Sequence, residues 1–212
     1  MDITGDGEWL LIVDHVLPFY IYRYDYEIND FTLFQTIIIG TVKNEAGAIT
    51  DDHQWLILTK NDGWVYIYTF NETEFVHKET INNRFPGYIT YLSITNDHMY
   101  IAFIVYQSNC YVYKYNGTNF TLYQNITMSY DNDGGWRMVQ LTDDHEFLTV
   151  GGGNDTFVSI YQHIGSNFIE LTNNSFTHYV RCASFNKDLT YFAVSTDSST
   201  KLFLNATTGN LI

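Results

Sequence analysis

Positive charge is scarce in this sequence. Its 212 residues include 10 Lys and Arg against 24 Asp and Glu, so the formal net charge is −14. A protein that binds nucleic acid needs Lys and Arg to replace the counterions of the phosphates. The same side chains hold proteins to anionic membranes. The composition therefore argues against nucleic acid and against an anionic membrane surface as partners.

Cysteine is also scarce, since Cys110 and Cys182 are the only two. Two cysteines cannot form a disulfide framework. They fall in non-adjacent copies of the repeat described below, so we expect two buried free thiols.

Long apolar runs are missing as well. No run reaches the roughly 20 residues of a membrane-spanning helix, so we expect no membrane span in this segment. The first six residues carry neither the basic region nor the apolar core of a secretory signal. If the protein is secreted, its signal peptide is expected to lie outside this sequence.

A repeated pattern is the main feature that is present. It consists of an apolar residue, a polar turn with a fixed Asp, and an aromatic residue that begins an apolar strand; it is clearest at 49–56, 94–101 and 141–148. The anchor aspartates are 46, 45, 47 and 44 residues apart: Asp6, Asp52, Asp97, Asp144 and Asp188. The aromatic residues predicted to open the strands follow three residues later: Trp9, Trp55, Tyr100, Phe147 and Tyr191.

A second landmark keeps the same register. Strands that end in an aromatic residue lie 15 to 17 residues after each anchor, at Tyr22, Tyr68, Tyr113, Tyr161 and Phe203. No window shows a sustained helical period. Repeats of about 45 residues with four short strands are typical of propeller blades. We therefore predict an all-β fold, a β-propeller of four-stranded antiparallel blades with about five visible, the first and last incomplete.

The predicted blades cover residues 1–40, 41–85, 86–128, 135–173 and 178–212 of one propeller. The last copy carries Val180-Arg181-Cys182-Ala183-Ser184-Phe185 and then Tyr191-Phe192-Ala193-Val194-Ser195. In this pattern it resembles the tryptophan–aspartate (WD) repeat family, which implies the same fold. The Gly-His dipeptide of that family is absent, and Tyr68-Thr69 stands where the Trp-Asp dipeptide is expected.

Three motifs invite a chemical interpretation. An Asp-His pair recurs in one turn of three blades, at Asp52-His53, Asp97-His98 and Asp144-His145. Equivalent turns are expected about 10 Å or more apart, too far for zinc ligands at about 2.0–2.2 Å. We expect solvated turn residues in which Asp caps its own backbone.

The other two motifs are turn-forming segments. Residues 131–135 begin like a calcium loop but lack the Glu at the twelfth position, which is Thr142. The glycines at 151–153 lack the Lys and the helix of a phosphate loop. We therefore predict no metal, no cofactor and no catalytic residues.

Asn-x-Ser/Thr sequons are frequent, and glycans need exposed acceptor sites of this kind. The seven predicted N-glycosylation sites are Asn71, Asn116, Asn119, Asn125, Asn154, Asn173 and Asn205. By their offsets from the anchors, Asn71, Asn116 and Asn205 are expected in the turn between the third and fourth strands.

The sequons favour a non-catalytic structural or binding module of an extracellular or cell-surface glycoprotein, such as a coat or fibril unit that assembles with itself or with protein partners. An intracellular, cytoplasmic interaction scaffold is the alternative, and a propeller enzyme is less favoured. Joining the chain ends would leave only 30 residues between Asp188 and Asp6. We expect either further blades in a longer chain or a strand from a neighbouring subunit, which an open sheet edge accepts readily.

Overall fold

The structure is a computed structural model that describes residues 1–15, 18–82, 85, 87–106, 109–128, 138–151, 156–185, 191–198 and 200–204. This part of the chain forms 19 strands and no helix. Accordingly, it holds no helix with the length and apolarity needed to cross a membrane. The Asn154 and Asn205 sequons, the 131–135 segment and the glycines at 152 and 153 lie outside the described residues.

The strands form five sheets in chain order, and every pair of neighbouring strands is antiparallel. The first sheet holds Asp2–Ile3 (β1), Trp9–Val13 (β2), Phe19–Asp25 (β3) and Asp30–Ile37 (β4). The second holds Asn44–Ile49 (β5), Trp55–Lys60 (β6), Val65–Phe70 (β7) and Phe75–Ile81 (β8). The third holds Ile89–Ile94 (β9), Tyr100–Val105 (β10), Cys110–Tyr115 (β11) and Phe120–Ile126 (β12).

The fourth sheet holds Met138–Leu141 (β13), Phe147–Gly151 (β14), Phe157–Ile164 (β15) and Asn167–Ser175 (β16). In the described part of the fifth sheet there are three strands, Val180–Phe185 (β17), Tyr191–Thr196 (β18) and Thr200–Leu204 (β19). The predicted propeller fold is confirmed. All five second strands begin at the predicted aromatic residue.

The core lies between successive blades. Four apolar clusters occur in the described chain, and each joins residues of two neighbouring sheets. Along β6, Leu58 packs toward the first blade and Ile57 toward the third, both at 0% exposure. Each such burial contributes about 1.5–3 kcal/mol. A strand covered on both faces explains why the second strands read as continuous apolar runs.

The first strands of neighbouring blades pack on one another, as β5 does on β9 and β9 on β13, so they form the inner edge of the ring. The outermost strands are joined as well. Gln35 of β4 holds both backbone groups of Phe75 at 2.8 and 3.0 Å, and Gln124 of β12 does the same for Phe168 at 2.7 and 2.8 Å. The side chain of one blade therefore fixes the start of the fourth strand in the next.

Candidate functional site

The two ends of the ring carry different chemistry. We call the end with the turns after each first and third strand the clasp face. The other end, with the turns after the second strands and the connections between sheets, we call the mouth face.

The clasp face holds the Asp-His motifs. Thr50 donates to Asp52 Oδ1 at 2.7 Å, and the backbone of Gln54 donates to the same oxygen at 3.0 Å. The predicted capping of the turn by its own Asp is confirmed. His53 follows with a φ of 62°, a left-handed conformation in which His is enriched. In the first blade Gly7 takes the equivalent place with a φ of 73°.

The sequence leads us to expect solvated histidines in these turns, and this expectation is wrong. Each one contacts the anchor Asp of the preceding blade, in the pairs His53–Asp6 at 2.9 Å, His98–Asp52 at 2.9 Å and His145–Asp97 at 2.8 Å. The expectation failed because the long His side chain spans the gap between neighbouring turns. We call these three pairs the clasps.

The clasps change the acidity of their aspartates. Burial raises the pKa of Asp52, but hydrogen bonds from Thr50, the Gln54 backbone and His98 outweigh it, so its pKa lies below the ordinary value. The pKa of Asp97 is lowered in the same way, with His145 as its partner. These carboxylates are therefore held in the charged form that the His contact uses.

A second line of contacts runs beside the clasps. Asn96 Nδ2 donates to Asp51 Oδ2 at 2.9 Å and to Asp143 Oδ2 at 2.8 Å, and so joins three blades. Gly5 N donates to Asp51 Oδ1 at 2.6 Å. These polar groups are thus occupied in joining blades.

The clasp between the first and second blades has a third polar group beside it. Ligand atoms of Asp6, Glu8 and His53 lie within 4.8 Å of one another. In the next two clasps, Gln54 and Met99 stand at the position of Glu8, yet the Asp–His contacts form at 2.9 and 2.8 Å. The clasp alone therefore explains the geometry, and we assign no metal there.

The mouth face is organised by β-bulges. The pairing of β5 with β6 shifts between Asn44 and Ala46, so Glu45 is the extra residue. The same kind of register shift makes Thr90 the extra residue of β9 and Arg181 the extra residue of β17. A bulge redirects a side chain and is common next to active sites. The three residues lie seven positions before their anchors, and this inner edge of the mouth face is where we place the candidate site.

Glu45 is the central group of this site. Its side chain is half-buried, and burial raises the pKa of its carboxyl group, while the nearby His15 and Lys43 lower it. Burial raises the pKa of Tyr88, Tyr106 adds to this, and the Glu45 carboxylate makes a smaller contribution in the same direction. Glu45 therefore lies between the His15 turn of the first blade and the Tyr88 entry to the third.

Beside Glu45, the boundary between the first two blades holds polar groups that are buried near the mouth face. Asn44 Nδ2 donates to the Asp14 carbonyl at 2.8 Å, and His15 Nδ1 lies 3.2 Å from the Asn44 carbonyl. Lys60, the strand partner of Asn44, is 0% exposed. Its Nζ and the Asn44 Oδ1 have no hydrogen-bond partner among the described residues. Such burial normally costs several kcal/mol, and it lowers the pKa of Lys60.

Further around the inner edge, Tyr88 and Tyr106 stack with ring centroids 4.5 Å apart. Arg181 pairs with Asp197 on the fifth blade. Cys182 is exposed, which corrects the expectation of two buried thiols, whereas Cys110 is buried. Cys182 lies on β17, the innermost strand of the fifth blade, next to the bulge residue Arg181.

The predicted sequons lie elsewhere. Asn71 and Asn116 occupy turns between third and fourth strands on the clasp face, as expected, and both are exposed. Asn119, Asn125 and Asn173 are exposed beside or on fourth strands. Sequence reasoning missed the Glu45 site, although the constant offset of the bulge residues from the anchors was a signal that could have located it.

Comparisons with known proteins identify the fold. No protein-family model and no curated protein sequence matches the chain. Among solved structures, the periplasmic gluconolactonase of Pseudomonas aeruginosa matches with a TM-score of 0.73 at 14% identity, over 99% of this chain and 66% of that one. A protein from Lactobacillus plantarum matches with a TM-score of 0.78 at 13% identity, over 99% and 68%. The chain thus spans about two thirds of the length of each of these chains.

These matches correct two expectations. Neither is described as a WD-repeat protein, so that resemblance holds for the propeller fold and not for the family. The expectation of a non-catalytic structural or binding module, and not an enzyme, is contradicted, because the fold is shared over nearly the whole chain with an enzyme. A search for local motifs does not detect a site that is built from several blades, because such a site leaves no contiguous motif.

Proposed function

We propose that this chain forms the larger part of a propeller hydrolase that opens the ring of a lactone, a cyclic ester. The observation that carries the proposal is the Glu45 carboxyl group, which lies at a β-bulge on the inner edge of the mouth face and whose pKa is raised by burial. A general base works best when its pKa lies close to the working pH. The fold shared with a gluconolactonase supports the reaction class.

The chemistry follows from the groups around Glu45. The carboxylate removes a proton from a water molecule, and the water oxygen bonds to the carbonyl carbon of the lactone. The ring C–O bond then breaks, and the ring oxygen receives a proton to give a hydroxy acid. His15 is the neighbouring group suited to pass that proton, and Lys43 supplies positive charge close to the developing carboxylate.

A rate assay tests the proposal. The full chain is incubated with a sugar lactone, and acid release is titrated at constant pH against the spontaneous rate. The Glu45→Gln variant is expected to lose about 10²-fold or more of the enzyme-dependent rate, as is typical for removal of a general base. The matched control Glu74→Gln, an exposed residue on the clasp face, is expected to keep the wild-type rate. A wild-type rate equal to the spontaneous one, or full activity of Glu45→Gln, contradicts the proposal.

We also propose that the protein works outside the cytoplasm, because one matched structure is periplasmic. The exposure of Asn71 and Asn116 is compatible with N-glycans at those turns. Protein from its native source is weighed by intact-mass measurement before and after enzymatic removal of N-glycans. Its mass is expected to fall by the mass of at least two glycans. An unchanged mass contradicts the glycosylation.

A further inference from the structure

A pocket of about 250 Å³ opens between the third and fourth blades, away from Glu45. Its apolar wall includes Met128 and Val150, both buried. Its polar wall includes Ser159, Tyr161, Glu170 and Asn173 of β15 and β16.

A single change in the repeat accounts for this pocket. Ser159 pairs with Val150 on one side and with Asn173 on the other. The equivalent residues are Tyr66 in the second blade and Tyr111 in the third, because each pairs with the corresponding positions of the second and fourth strands of its own blade. Tyr66 packs into the core cluster shared with the first blade, and Tyr111 packs against the cluster shared with the second. Where those blades place a phenol ring against the preceding blade, the fourth blade has a small hydroxymethyl group.

The polar wall is made of hydroxyl, amide and carboxylate groups. Ser159 Oγ donates to Glu170 Oε1 at 3.1 Å. Burial, and then the charge of Glu170, raise the pKa of Tyr161 to about 12, so its hydroxyl remains a donor at neutral pH. Asn173 adds one more amide group that both donates and accepts.

The charge of the wall selects against anions. Glu170 is the only ionised group among the described residues that line the pocket, and no Lys or Arg is among them. A phosphate or carboxylate would face this acid without a compensating cation. A ligand with several hydroxyl groups matches the wall better, because each hydroxyl both donates and accepts.

We propose that this pocket binds a neutral polyhydroxylated molecule the size of a single sugar ring. Its volume is just below the roughly 300–1,000 Å³ of pockets that hold drug-sized ligands. Phe157, which also lines it, offers a half-buried aromatic surface to the C–H groups of such a ring. The site is separate from Glu45 and does not depend on the proposed hydrolysis.

Ligand-observed saturation-transfer NMR tests the proposal with three probes of one size: glucose, gluconate and glucosamine. The full chain is produced without N-glycans, because a glycan on Asn173 would cover the pocket. Glucose is expected to give transfer, and gluconate is expected to give none. Transfer from gluconate alone, from glucosamine alone, or from no probe overturns the proposal.

Two variants locate the binding. Ser159→Tyr restores the residue of the second and third blades, so it is expected to fold, to fill the pocket and to lower glucose affinity at least tenfold. Its control, Ser166→Tyr, changes an exposed turn on the clasp face and is expected to bind as wild type.

Glu170→Gln keeps the shape of the pocket and removes its charge. It is expected to lower glucose affinity severalfold and to relax the rejection of gluconate. Unchanged glucose binding by both Ser159→Tyr and Glu170→Gln contradicts the assignment of the pocket, whatever the lactone assay shows.

Discussion

His98 Nε2 lies 2.9 Å from Asp52 Oδ2, across the boundary between the second and third blades. The two residues belong to equivalent turns of neighbouring repeats, so the contact joins one copy of the motif to the next. The same relationship links the first blade to the second and the third to the fourth. A repeated turn motif therefore also carries a repeated interblade contact.

Loss of one clasp is expected to weaken the fold in a pH-dependent way. Asp52→Asn keeps the turn but removes the charge that faces His98. Because both side chains are partly exposed, we expect the free energy of unfolding at pH 7 to fall by on the order of 1 kcal/mol. The folded-state pKa of Asp52 is lowered, so its contribution is present above the unfolded pKa and is lost as the pH falls below it.

The difference between wild type and Asp52→Asn should therefore persist down to the ordinary Asp pKa of 3.8 and shrink as the pH falls further, through the lowered pKa of the folded state. Urea unfolding at several pH values measures it. Asp30→Asn, which alters an exposed carboxylate of the first blade, serves as the control. A difference that stays constant with pH would show that the charge of Asp52 does not stabilise the blade boundary.

The buried Thr of the same turn offers a second test. Thr50 is 1% exposed, and its hydroxyl donates to Asp52 and accepts from Trp55 N at 3.0 Å. Thr50→Val has nearly the same shape but leaves the Trp55 N–H buried without an acceptor. We expect a loss of about 1–3 kcal/mol in the free energy of unfolding. Thr36→Val, at an exposed strand position, is expected to change it little, and equal effects of the two variants would contradict the role of the hydroxyl.

The sequence predicted the strands well because each depends on local patterns. The aromatic residue three positions after each anchor and the alternation around it are fixed by the chain itself, so Trp55 and Tyr100 open their strands as expected. The clasps could not be predicted in this way, since they depend on the distance between turns about one repeat apart. The positions of Glu45 and Cys182 at the inner edge depend on strand register, which a bulge changes by one residue.

The two cysteines are expected to differ in reactivity. The thiolate is the reactive form, and burial raises the pKa of the fully buried Cys110, whereas Cys182 is exposed. A disulfide reagent that reports released thiolate is therefore expected to titrate one thiol in the native protein and the second only after unfolding. Cys182→Ser should abolish the native reaction and Cys110→Ser should retain it. Two native thiols, or reaction of Cys110 alone, would contradict the inner-edge position of Cys182.

The pH dependence of lactone hydrolysis tests how Glu45 is tuned. The proposed base is active only as a carboxylate, so kcat/KM should fall as the pH drops below its pKa. Burial raises that pKa above the ordinary value of 4.5, and the positive charge of Lys43 works in the opposite direction. Lys43→Met is therefore expected to move the midpoint of the acid limb to higher pH, whereas a purely structural role for Lys43 would change the rate without moving the midpoint.

Lys78→Met is the matched control, because the Lys78 ammonium lies over the Trp55 ring at 5.2 Å, away from Glu45. Rates measured over about pH 4 to 7 decide the outcome, and an equal shift in both variants, or none in Lys43→Met, would contradict the assignment of this limb to Glu45.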